Sequence, residues 1–135
     1  MEAASGFLSV TGRVLLGLYF LLPGIMKITG FDGTAAYMAS KGMVAIPFFL
    51  VLTIILQVGG AICLFIGYRV SLTAFLLAGL TLVISIVMHD FWNLEEGLQQ
   101  QHEMQNFIKN MAVMAGLMVV AGGNTHWQVP FLKRE

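Results

Sequence analysis

Residues 42–68 read GMVAIPFFLVLTIILQVGGAICLFIGY, from Gly42 to Tyr68, without one charged side chain. A hydrocarbon layer about 30 Å thick is crossed by roughly 20 apolar residues in helical form. A core helix of a soluble protein has no use for so long an uncharged run. The rest of the chain agrees with this centre. Of its 135 residues 58% are hydrophobic and 10% are charged, and the mean hydropathy is +0.84. So little charge does not keep a protein dispersed in water, so the lipid bilayer is its expected surroundings. No nucleic-acid partner is expected for such a chain.

Reading outward from that run, four spans are expected, at about 7–28, 46–67, 71–88 and 107–122. In lipid a backbone must satisfy its own hydrogen bonds, which leaves helices or a closed barrel. The runs show no period-2 alternation, so the expected class is all-α. Short connections make sequential helices antiparallel neighbours, giving one four-helix integral membrane bundle across residues 1–135. The chain opens Met1-Glu2 without a basic leader, so the first span is expected to be retained. Cys63 is the single cysteine, so no dithiol pair is available. With both ends cytoplasmic, Arg13, Arg69, Lys133 and Arg134 lie inside, and Lys27, Lys41 and Lys109 lie outside. That is a slight positive-inside bias.

The loops carry their own signals. Residues 34–41 hold no helix breaker and predict a short interfacial helix with Tyr37 and Met38 at headgroup level. Gly67-Tyr68-Arg69 predicts a tight turn. Residues 90–106 read as a polar loop containing Glu95, Glu96, three glutamines, His102 and Glu103. Phe91 and Trp92 at its start, and Trp127 and Phe131 in the tail, fit aromatic belts at opposite interfaces.

Several polar side chains fall where a bilayer disfavours them. Arg13 and Lys27 are fourteen positions apart, which sets them about 40° apart around a helix. Gly17, Phe20 and Gly24 share their stripe. Either each cation snorkels to its nearer interface, or the stripe faces the bundle, as intramembrane charges and close-packing glycines usually do. Thr53, Gln57, Gly60, Leu64 and Gly67 form one face of the second span, with Gln57 near mid-bilayer. Its amide is either a link between helices or a ligand contact. Ala78, Thr81, Ser85 and His89 form a face of the third span, and Asn106, Lys109 and Asn110 open the fourth. His102 is expected in a loop and His126 on the opposite side, so no pair of histidines suits haem or zinc, and no metal site is expected. On an antiparallel bundle, Lys27, His89, Asp90, Asn106, Lys109 and Asn110 share one mouth. Asp90 or an anionic head group is expected to offset the lysines. Polar groups converging over an apolar interior suit an amphipathic ligand.

These residues resemble a known family. Gly12-Arg13 with Gly24 and Lys27, then Gln57-Val58-Gly59-Gly60-Ala61 with Gly67, are similar to the first two spans of the DoxX family. His89-Asp90-Phe91-Trp92-Asn93, then Gln105-Asn106-Phe107-Ile108-Lys109-Asn110 and Gly116, resemble its third and fourth spans. The resemblance implies a multi-pass protein of the bacterial cytoplasmic (inner) membrane. It also implies links to thiosulfate:quinone oxidoreduction and to redox-stress complexes. Where the family often carries glutamate this chain has Gln57, which cannot carry a proton but still hydrogen-bonds a head group.

Two functions follow as expectations. In the first, the protein is an accessory, quinone-binding subunit of a membrane redox system, with Arg13, Lys27, Gln57, His89, Lys109 and Asn110 as its ligand-binding residues. The chain offers no flavin, haem, iron–sulfur or dithiol site of its own, so the hard electron chemistry belongs to a bound quinone or to redox-enzyme partner subunits. In the second, the protein is a non-enzymatic scaffold or carrier of a small amphipathic molecule. Both readings leave room for a homo-oligomer.

Overall fold

The structure is a computed structural model that describes residues 2–123, with side chains from residue 3. His126, Trp127, Phe131, Lys133 and Arg134 lie outside the described residues. Five α-helices follow in order among the described residues: α1 (Glu2–Thr29), α2 (Phe31–Ser40), α3 (Ile46–Ile66), α4 (Val70–Met88) and α5 (Leu98–Ala121). A 3-10 turn (Phe91–Asn93) joins α4 to α5. Four of the helices are long and apolar enough to cross a membrane. The 21 residues of α3 extend about 31 Å at the helical rise, the thickness of the hydrocarbon layer. The short helix expected in the first loop is α2.

Polarity is distributed as lipid demands. Large apolar side chains such as Phe48, Phe75 and Val119 are exposed on the outside, while Gln57, Thr73, Thr81, Ser85, Glu103 and Asn110 are buried. The hydroxyls of Thr81 and Ser85 are satisfied within α4. Thr81 Oγ1 donates to the Leu77 carbonyl at 2.7 Å and Ser85 Oγ to the Thr81 carbonyl at 2.7 Å. Such back-bonding lets a small polar face pack against neighbouring helices at little cost.

The bundle is built from two close pairs, α1 on α3 and α4 on α5, joined by a thinner α3–α4 contact. Glycine decides how near the first pair comes. A Cβ on Gly24 would stand 2.8 Å from Val58 Cγ2, and one on Gly17 would enter the Phe65 ring. The core, Phe20, Ala61, Leu64, Ala74, Leu77, Ala78 and Leu117, draws on all four spanning helices. It fills the half of the bundle towards the α3–α4 turn. There Gly67 takes φ +75°, which glycine adopts freely, and Tyr68 N–H returns to the Cys63 carbonyl at 2.9 Å. Arg13 Nη1 reaches the Leu64 carbonyl at 3.5 Å and lies against Gly67. Arg13 thus serves the closed end.

The other half differs from its expected form. Residues 98–106 are not loop: α5 begins at Leu98, so His102 and Glu103 lie in its first turns. A helix can leave the membrane before it ends, and hydropathy marks only the apolar part. The remaining connection is pinned by Phe91, Trp92 and Phe107, whose rings meet edge to face at 5.3–5.6 Å.

Candidate functional site

Two cavities occupy the open half. The smaller, a chamber of about 430 Å³ whose wall is apolar in larger part but carries polar groups from four helices, lies between α1, α3, α4 and α5. Tyr19, Phe20 and Lys27 of α1 line it, with Gln57 of α3, Thr81 and His89 of α4, and Asn106, Lys109 and Asn110 of α5. Beside it a largely apolar cleft of about 990 Å³ runs between α1, α2, α3 and α4. Pro23, Met26, Lys27, Ile84 and His89 belong to the walls of both. Pro23 sits within α1, where it has no N–H to give the Tyr19 carbonyl, a common cause of a local bend.

Five of the six residues singled out from the sequence, Lys27, Gln57, His89, Lys109 and Asn110, meet in the chamber. Arg13 does not: it shares their helical stripe but stands at the other end of the bundle.

The side chains of the chamber are held unequally. Tyr19 Oη donates to Asn110 Oδ1 at 2.5 Å, tying α1 to α5. His89 Nδ1 lies 2.6 Å from Glu103 Oε2. Gln57 is only 4% exposed, yet its Oε1 has no hydrogen-bond partner. Among the described residues no carboxylate lies within ion-pair distance of Lys27 or Lys109. The expectation that Asp90 offsets these lysines fails, because Asp90 is engaged elsewhere. Its Oδ1 takes Lys41 Nζ at 2.7 Å and its Oδ2 accepts from Asn93 at 3.1 Å. What α2 brings to this end of the bundle decides that choice.

Glu103 is the functional candidate that reading the sequence as a loop missed. The signal was present as spacing: Glu103, Asn110 and Leu117 recur every seven residues, and they are the buried residues of α5. A repeat of seven marks one helical face even where the mean polarity reads as loop.

Helix α2 is fastened over this end by two bonds. Tyr37 Oη donates to the Met88 carbonyl at 3.2 Å, and Lys41 pairs with Asp90. Burial pushes the Tyr37 phenol above its ordinary pKa, with Glu103 adding in the same direction. The hydrogen bond to Asp90 raises that of Lys41. With the lysine pKa raised and the Asp90 pKa lowered by the same bond, the pair's stabilisation is whole between the ordinary values of 3.8 and 10.5 and is lost as pH moves beyond that window in either direction. Across neutral pH it should therefore be flat. Because both side chains are partly solvated, Lys41→Ala should cost at most about 1 kcal/mol. Thermal unfolding in detergent checks this; a larger loss would mean that α2 holds the bundle together.

Similarity to known proteins agrees with this architecture. The DoxX family model matches residues 8–90. The chain is 32% identical over 112 residues to the inner membrane protein YqjF of Escherichia coli (strain K12), covering 83% of this chain and 80% of that one. It is 29% identical over 119 residues to the inner membrane protein YphA of the same organism, covering 88% and 84%. No solved structure matches. With these matches and four spanning helices, the chain is a multi-pass inner-membrane protein and belongs to the DoxX family.

Proposed function

We propose that the protein binds a quinone-type amphipathic molecule, head in the chamber and tail in the apolar cleft, as an accessory subunit of a membrane redox system. The observation that carries this reading is the shared wall: a small chamber that carries polar groups and a larger apolar cleft meet at Lys27 and His89. A head group that hydrogen-bonds and a hydrocarbon tail that needs cover fit such a pair. Gln57, with a buried and unpartnered oxygen, suits a polar head, because an unmet polar group costs energy that a ligand can relieve. The quinone supplies the two-electron chemistry when bound. The chain's residues bind and orient it: Lys27 and Lys109 bring positive charge to the ring oxygens, and Tyr19 holds Asn110 at the chamber wall.

Purification from native membranes, followed by absorbance and extraction of bound lipid, tests the reading. A co-purifying quinone is expected; a colourless protein holding only phospholipid would return it to the carrier or scaffold reading. Variants sharpen the test. His89→Gln should weaken binding of a short-tailed benzoquinone about tenfold, the worth of one good polar contact. The amide still offers Glu103 a donor, whereas alanine would strand a buried carboxylate. His102→Ala, at an exposed position of α5, should leave binding within about twofold. Equal, negligible effects of both would make His89 a structural anchor.

A further inference from the structure

The chamber has a hydrogen-bonding sense. His89 Nδ1 lies 2.6 Å from Glu103 Oε2, and because an ionised carboxylate only accepts, this contact assigns the proton to Nδ1. In a neutral ring so oriented, Nε2 carries the lone pair and is the nitrogen left for a ligand. His89 lines the chamber, and so does Gln57, whose Oε1 is an unpartnered acceptor on a side chain more than nine-tenths buried. Two acceptors from different helices thus meet a cation, Lys27, that has no carboxylate partner among the described residues.

The lysines and amide N–H groups of the chamber can serve an oxygen of either redox form, but His89 Nε2 and Gln57 Oε1 are satisfied only by a donor. The oxygens of a quinone only accept; those of a hydroquinone also donate. We infer that the site is selective for the reduced, hydroxyl-bearing form of its ligand, with Glu103 as the positioning residue that sets His89 to accept. One ring hydroxyl donates to His89 Nε2 and the other to Gln57 Oε1. Lys27 favours partial negative charge on the oxygen beside it. Binding alone is claimed, so no electrons move. If the hydroxyl proton passes fully to His89, the O–H bond breaks, the N–H bond forms, and the anionic oxygen stays beside Lys27. The inference rests on the function proposed above and adds the redox form that the site prefers.

Three probes with one decyl tail separate the cases: a benzoquinone, its hydroquinone, and the hydroquinone's dimethyl ether, which keeps the oxygens but has no donor. Affinities are measured by equilibrium dialysis of the purified protein in detergent under argon. The hydroquinone should bind at least about tenfold more tightly than either other probe, a factor that one good polar contact supplies and so a floor for two. Equal binding of all three would overturn the selectivity and leave the proposed function standing. Tighter binding of the quinone would mean that His89 is charged and donates from Nε2, which also overturns it. Failure of every probe to bind would remove both. In a Glu103→Gln protein, checked for fold by circular dichroism and gel filtration, the amide can donate to Nδ1 and reverse the tautomer. The preference should then fall to within about twofold; a preference kept at tenfold would remove Glu103 from the account.

Discussion

Gln57→Met should make the protein more stable and, at the same time, poorer at holding its ligand. The two changes have one source. Gln57 is buried in α3 with Oε1 unsatisfied, and an unmet buried acceptor costs about 1–3 kcal/mol. Methionine has nearly the same length and volume, adapts to its neighbours and leaves no acceptor unmet. Unfolding in detergent should therefore require about 1–3 kcal/mol more in the variant. The ligand loses a partner in the chamber, and affinity for a decyl-tailed hydroquinone should fall roughly tenfold. The sign of the stability change is decisive. A glutamine that linked helices would, on replacement, cost roughly 0.5–2 kcal/mol. Destabilisation by the methionine substitution would assign the amide to packing and take from the chamber its buried, unpartnered acceptor.

The second large effect is expected where α1 crosses α3. In Gly24→Leu even the first side-chain carbon would stand 2.8 Å from Val58 Cγ2 and 3.4 Å from the Val58 backbone nitrogen. A rotamer change moves a methyl group but not a backbone atom, so the helices themselves must part. Overpacking of this kind costs typically about 1–3 kcal/mol, sometimes more, against a helix-propensity gain of under about 1 kcal/mol. Since Gln57 Cβ is also only 3.3 Å away, the chamber should distort and ligand affinity should fall with stability. Gly59→Leu is the control. A Cβ there meets nothing within 4 Å, so only the propensity term applies, and the variant should be neutral or slightly stabilised. Detergent unfolding and ligand binding, measured on both proteins, check the pair. Equal effects of the two leucines would show that close approach at Gly24 does not hold α1 on α3.

The number of spans, their helical state and the polar inner faces of the second and third spans were legible in the sequence. The bilayer imposes these locally. Each segment must be apolar over a set length and must close its own backbone bonds. Each intramembrane polar group must find shelter. Gln57, Thr81 and Ser85 were readable as an inner face for that reason, and they are buried. What tertiary structure alone decided is how positions along different helices line up. Arg13 and Lys27 share a stripe, but fourteen residues of helix separate them by about 21 Å, so one closes the bundle and the other enters the chamber. Asp90 goes to Lys41 rather than to Lys27 because α2 folds back onto the end of α4. Glu103 becomes the partner of His89 because α5 starts well before its apolar part. Hydropathy measures how a residue suits lipid; it carries no record of which helix stands beside it.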